Sequence, residues 1–453
     1  MTTRWNLWDR TWELYGHPRV VAIFFLGFSS GLPLALTFGT LSLWLTEAGI
    51  AKSTIGLFAL ASAPYTVKFL WSPLLDRLPL PLFTDRWGQR RGWALCIQIF
   101  LALAIFGLGC ADPAHDPRLT GLFALLVAFL SASQDIVIDA YRVESLDKSQ
   151  YGAGAAMIVM GYRVGMLVSG AGALYLATFF GWFVTYAVMA ACMGVGIITL
   201  LVNPEPERPP EPLTRQREQK IDSFLTHHFA GQSWLATVLR WLSVAVVAPL
   251  ADFVARQRWF AILMFILLYK FGEALAGVMS GPFYLDLNFS KIEIANVSKI
   301  FGLIATLVGS VLGGLVVHRR GIMASLLFCG LLQMVSTLAF VWLAYAGHDI
   351  TILAASIAIE NLSGGMGTAA LVAYLSSLCN VSYTATQYAL LSSFMAFGRT
   401  ILASWGGFLA ERMSWSQFFL LSTVAALPGL LLLLWLTKQP PLATKMTQHE
   451  VTP

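Results

Sequence analysis

Apolar residues run in long blocks separated by short polar stretches, and no block alternates polar and apolar positions as the strand of a membrane barrel must. Twelve blocks are long enough to cross about 30 Å of hydrocarbon at about 1.5 Å per helical residue. They cover residues 20–45, 54–76, 92–111, 119–144, 153–178, 182–202, 259–285, 292–317, 321–346, 350–379, 385–410 and 415–437, here spans 1 to 12. A chain in lipid must satisfy its own backbone N–H and C=O groups, so each block is predicted to be a helix. Between spans 6 and 7 the polar chain lengthens. Its start, NPEPERPPEP at 203–212, cannot be helical throughout. Residues 234–250 are apolar but carry Arg240 and Pro249, which predicts an interfacial helix rather than a thirteenth span. The expected division is a six-helix bundle over 1–202, a linker with its interfacial helix over 203–258, and a second six-helix bundle with a short tail over 259–453.

Composition agrees. Of 453 residues 57% are hydrophobic and only 12% charged, against about 25% charged in soluble proteins. A disordered chain, a coiled coil and an ordinary soluble enzyme are excluded. The net charge of +5 hints at nucleic acid only in a soluble protein; here the basic residues stand between apolar blocks and report orientation, and no nucleic-acid partner is expected. With the N-terminus inside, twenty Lys and Arg fall in inside segments and four in outside loops. Both termini are therefore expected in the cytoplasm of a multi-pass protein. The first apolar block is too long for a cleavable signal. The five cysteines lie in or beside apolar blocks without a CxxC, so neither a disulfide framework nor a metal site is expected.

The halves look related. QYGAGAAMIVMGYRVGMLVSG begins at Gln150 and QYALLSSFMAFGRTILASWGG at Gln387, placing Arg163 and Arg399 at matching points of the fifth span of each half. Six plus six spans around a linker suggest two parallel repeats, the arrangement of major facilitator transporters. Gly161, Gly165, Ser169 and Ala173 on span 5, and Gly309 and Gly313 on span 8, have the spacing of helix-packing stripes.

Nine ionisable groups fall within spans: Lys68, Arg163, Lys270, Lys299, Arg399, Asp135, Asp139, Glu273 and Glu360. Each costs at least about 2.5 kcal/mol at mid-membrane. Spans 3, 6, 9 and 12 carry none and read as outer supports; the other nine-charge set marks the cavity. Asp135 and Asp139 share a helix face, and Asp135 and Arg163 lie at similar depths, so an Asp135–Arg163 pair is expected. Lys270 and Glu273 are three apart and could pair. The alternative for all of them is a set of buried ion pairs that hold helices together. No histidine lies in a span, so a carboxylate must carry any coupling proton, and Asp135 and Asp139 are the first candidates. The C-terminal half shows no equivalent acidic pair when the repeats are matched without gaps. It is therefore expected to hold substrate through Lys270 and Arg399. Gln134, Tyr65, Lys68, Glu273, Glu360 and Asn361 complete the substrate-binding candidates, and no resident cofactor or metal is expected, only the proton as coupling ion. GFSSG at 27–31 imitates a nucleophile elbow, and GMGTAA at 365–370 a dinucleotide loop, but neither follows a strand. The chain is therefore not expected to be an enzyme.

The stretches GFSSGLPLALTFGTLSLWL, KFLWSPLLDRLPLP, SASQDIVIDAYR, GAGAAMIVMGYRVGMLVSG and IENLSGGMGT resemble the AmpG-type muropeptide permeases, a branch of the major facilitator superfamily. The resemblance implies an all-α polytopic membrane protein with twelve transmembrane helices in two six-helix bundles. It implies proton-driven import of N-acetylglucosaminyl-1,6-anhydro-N-acetylmuramyl peptides across the bacterial inner membrane for peptidoglycan recycling, by a monomer, in traffic that also feeds β-lactamase induction. A related acetyl-CoA carrier or a membrane assembly factor are the rival readings. The superfamily's loop after span 2 usually reads G-x-x-x-D-R-x-G-R-R. Here Ser72 replaces the first Gly, and the basic part is split between Asp76-Arg77 and Arg86-Trp87-Gly88-Gln89-Arg90-Arg91. Asp76, Arg77 and Arg163 are accordingly expected to serve structure and gating. Some relatives carry two further spans; this chain stops shortly after span 12, so they are not expected to be needed for its core activity.

Overall fold

The computed structural model describes residues 13–50, 58, 63–207, 246 and 248–439. Its elements are helices, and among the described residues none is a strand. Nine helices are long and apolar enough to cross a membrane, by length and composition. One of them, Lys148–Val202, holds spans 5 and 6 together. Gly181 breaks it at φ 78° and ψ 169°, a conformation that a side chain would strain. Span 11 is Thr384–Ala410, and span 2 is described from Ala63 onward. Where both ends are described, the helices start and stop within three residues of the sequence boundaries. The expected interfacial helix at 234–250 lies almost wholly outside the described residues.

Local chemistry sets the ends. Asp116 accepts from the backbone N–H of Leu119 at 3.0 Å, with Pro117 in the first helical position, and so starts span 4. Asp349 caps span 10 through Thr351 and Ile352. Ser414 and Gln417 form a reciprocal capping box at span 12. Three spans widen into π turns, at Leu36–Thr40, Val168–Gly172 and Ala295–Phe301.

The chain divides into two compact units. One is Met1–Arg208 with Thr384–Ala389; the other is Pro209–Tyr383 with Leu390–Pro453. In the first unit spans 1 and 5 pack backbone to backbone. A methyl added at Gly161 would stand 2.0 Å from the Phe24 carbonyl oxygen, and one at Gly31 2.0 Å from that of Tyr162. GFSSG is thus a packing seam. In the second unit spans 8 and 10 do the same: a methyl at Gly309 would stand 2.1 Å from the Leu362 carbonyl oxygen. Aromatic residues fill the remaining space, with Trp44 stacked on Trp182 in the first unit and Phe283, Phe340 and Phe419 clustered in the second.

Candidate functional site

In the first unit, spans 2 and 4 bring together Lys68, Tyr65, Asp135 and Asp139. The charges acting on Asp135 are Lys68 and Asp139, and Ser30 lies within hydrogen-bond reach. Lys68 is buried on span 2. The Tyr65 hydroxyl faces Thr37, Ser131 and Asp135 without a hydrogen bond of ordinary geometry. Asp139 is engaged elsewhere: Arg142, one turn on, donates to it at 3.2 Å. The Arg142 guanidinium also lies 5.1 Å from the centre of the Tyr388 ring. Gln134 points away from the carboxylates. Its amide N–H donates to the Ser29 carbonyl at 2.9 Å and ties span 4 to span 1.

The expected Asp135–Arg163 pair is not formed among the described residues, and Arg163 is exposed. Matching depth does not fix direction. Gly161 and Gly165 turn one face of span 5 onto span 1. Arg163, two residues from each, projects about 200° around the helix from that seam. Arg399, its counterpart in the repeat, is likewise exposed.

A second group in the first unit surrounds Arg90, whose side chain is fully buried. Its Nη2 donates to Glu144 at 2.7 Å and to Asp76 at 2.5 Å, and its Nε reaches both Glu144 oxygens at 3.1 Å. Asp76 also accepts from the Thr386 backbone N–H at 2.8 Å, its hydroxyl at 2.6 Å and the Ala385 N–H at 3.3 Å. A carboxylate remote in sequence therefore caps the first turn of span 11, where backbone donors lack partners and the helix dipole favours negative charge. Glu205, from the Pro-rich segment, does the same for span 3, accepting from the N–H groups of Arg90 and Arg91 at 2.7 and 2.9 Å. Arg91 returns to the Leu200 and Leu201 carbonyls at 2.7 and 3.1 Å. Arg77 ends the short helix Ser72–Arg77 and is half-buried. The split motif thus keeps one of its arginines, Arg90, on Asp76. The Glu144 and Glu205 partners were invisible in sequence, where they read as solvated loop charges.

In the second unit, span 7 breaks at Tyr269 and Lys270. Lys270 Nζ donates to Glu273, to the Gly364 carbonyl at 3.2 Å and to Thr368 Oγ1 at 3.0 Å. Gln333 donates to Glu273, and Ser336 donates to Glu360 at 2.5 Å. Both come from span 9, so an expected outer support enters the polar cluster. Glu273 and Lys270 are the charges acting on Glu360. The second unit does hold an acidic pair, built from two spans, which a gapless match of repeats cannot reveal. Asn361 is turned to packing: it accepts from Thr306 at 3.0 Å and donates to the Ile357 carbonyl at 2.9 Å.

The model of the Major Facilitator Superfamily matches residues 23–358 and 270–451. The chain is 42% identical over 425 residues to the anhydromuropeptide permease of Escherichia coli K12, a match spanning 93% of this chain and 80% of that protein. The chain is an AmpG-type permease of the Major Facilitator Superfamily. Another relative, the putative transporter AmpG 4 of Rickettsia felis, is 37% identical over 94% of this chain and 98% of its own length. Among solved structures, the proton:xylose symporter XylE aligns with a TM-score of 0.62 at 13% identity, over 94% of this chain and 96% of XylE. That likeness speaks for the fold alone. The permease is an all-α, multi-pass membrane transporter whose fold is twelve helices in two six-helix bundles.

Proposed function

We propose that this permease imports N-acetylglucosaminyl-1,6-anhydro-N-acetylmuramyl peptides across the bacterial inner membrane, driven by protons, with both termini in the cytoplasm. The observation that carries the reading is the 42% identity to an anhydromuropeptide permease across 93% of the chain. The buried chemistry supports it. Asp139 is held by Arg142, whereas Asp135 has only Lys68 and Asp139 as charged neighbours, so Asp135 is the carboxylate we assign to proton exchange in the first unit. Arg163 and Arg399, exposed within their spans, are the cations we assign to the substrate's carboxylates, since a guanidinium at that depth is tolerated where water or an anion meets it. Tyr65 and Lys68 are assigned to the substrate's polar groups. Asp76, with Arg77 following it, is assigned to gating through its cap on span 11.

The test is uptake of labelled anhydro-muropeptide into vesicles with and without an imposed pH gradient. Accumulation against a concentration gradient, enhanced by the proton gradient, is expected. Uptake indifferent to the gradient would remove the coupling. Uptake of acetyl-CoA in place of muropeptide would reassign the substrate.

A further inference from the structure

Lys270 is saturated. An ammonium offers three N–H donors, and Glu273, the Gly364 carbonyl and the Thr368 hydroxyl accept all three. It is therefore unavailable to an incoming carboxylate, and Glu273 is its ion-pair partner. Glu360, on span 10, is left with the Ser336 hydroxyl at 2.5 Å. The charged groups acting on it among the described residues are Glu273 and Lys270, and the neutral Tyr284 phenol lies near it as well. With every group ionised, one cation faces two carboxylates inside the spans. A net charge there is costly, and two carboxylates that share a site resist ionising together.

A second observation points the same way. Gln333 is 95% buried, 5% of its surface being accessible. Its amide N–H meets Glu273, but its Oε1 is buried without a partner. That oxygen is an acceptor in a cluster that already holds more acceptors than donors. A half-turn of the amide would present Oε1 to a carboxyl O–H, so Gln333 can donate to Glu273 as a carboxylate and accept from it as an acid. Gly367 makes the room: a methyl there would stand 2.7 Å from Gln333 Oε1 and 3.5 Å from Lys270 Nζ.

We propose that Glu273 and Glu360 bind one proton between them, with Lys270 neutralising the remaining carboxylate and Ser336 and Gln333 holding the pair in both protonation states. The proton comes from water and returns to water, and no bond to substrate is made. This site deepens the proton-coupled reading above, on which its transport role rests, and adds a second proton-binding position to Asp135.

Two measurements test it. The first needs no substrate: infrared titration of the carboxyl C=O band of the purified full chain in lipid nanodiscs. Glu360→Gln should remove one titrating carboxyl, Glu360→Asp should restore it, and Ser336→Ala should keep the band but displace its midpoint. Carboxyl bands identical in Glu360→Gln, Glu273→Gln and the unaltered chain would overturn the proposal, as would a midpoint unmoved by Ser336→Ala. The second is uphill accumulation of anhydro-muropeptide relative to counterflow in proteoliposomes. With a gradient of about one pH unit, loss of one coupled proton lowers the limiting ratio about tenfold in Glu360→Gln. An unchanged ratio would overturn the transport role. If the unaltered chain carries no muropeptide at all, the functional reading fails while the infrared titration still decides the site.

Discussion

Each unit contains one buried cation set between two carboxylates, and the two solve the same imbalance differently. In the first, Arg90 pairs with Glu144 and Asp76, and the surplus carboxylate rests on the N-terminal N–H groups of span 11. In the second, Lys270 pairs with Glu273, and the surplus carboxylate of Glu360 rests on a single serine hydroxyl at mid-span. Backbone donors and a helix dipole are permanent and cannot be withdrawn without unwinding the helix. One hydroxyl offsets much less charge. The comparison teaches that counting charges does not separate a structural lock from an exchangeable site; what the surplus charge leans on does.

Removing Arg90 should have the largest effect. Arg90→Ala leaves Glu144 and Asp76 buried without their cation, at a cost of about 3–5 kcal/mol, read as a fall in thermal stability of the purified chain. Lys270→Ala should cost less, because a proton can neutralise the pair it leaves behind. Equal losses for the two variants at acidic and neutral pH would break the comparison.

The glycine seams should behave alike, because the packing framework is repeated even where the charges are not. Gly161→Ala and Gly309→Ala each push a methyl against a backbone oxygen 2.0–2.1 Å away. Each should cost about 1–3 kcal/mol in thermal unfolding. A tolerant Gly309→Ala beside a damaging Gly161→Ala would show that the second unit is the looser one.

Within the first unit, Asp139→Asn should reduce stability by about 1 kcal/mol through its bond to Arg142, with uphill uptake and counterflow falling together. Asp135→Asn should spare stability and depress uphill uptake alone. The reverse pattern would exchange their roles.

The smallest effect is expected at the exposed loop between spans 3 and 4. A hydrogen bond from His115, with another from the Ala114 backbone, holds the Asp112 carboxyl below its ordinary value. A carboxylate lowered in the folded chain contributes stability above its unfolded value and loses it as pH falls through the lowered one. Full exposure screens that contribution. His115→Ala should return the Asp112 titration upward, visible by NMR, and leave the unfolding curve unmoved.

The spans were legible because lipid demands unbroken apolar helix, and even the break at Gly181 falls in the gap between residues 178 and 182. The seams were legible from fourfold glycine spacing. The electrostatic partners were not. Depth along a helix follows from residue count, but direction around it depends on packing, and this separated Asp135 from Arg163. Arg142, only three residues from Asp139, was a local partner that attention to mid-span charges passed over. Glu144 and Glu205 find Arg90 across chain separations that no local pattern records. Glu273 and Glu360 stand on different helices, whereas a repeat match compares only equivalent ones.

The π turns of spans 1 and 5 are joined to each other, since the Thr40 hydroxyl donates to the Ser169 carbonyl at 2.8 Å. A π turn closes its hydrogen bonds one residue farther along than an α turn. Deleting one residue from Leu36–Thr40 would tighten that turn and swing everything beyond it by about 100°, carrying Trp44 off Trp182. Matching deletions in both spans would turn both faces together. Insertions and deletions in this lineage are therefore expected in pairs: a relative that drops a residue from one of these turns should have dropped one from the other.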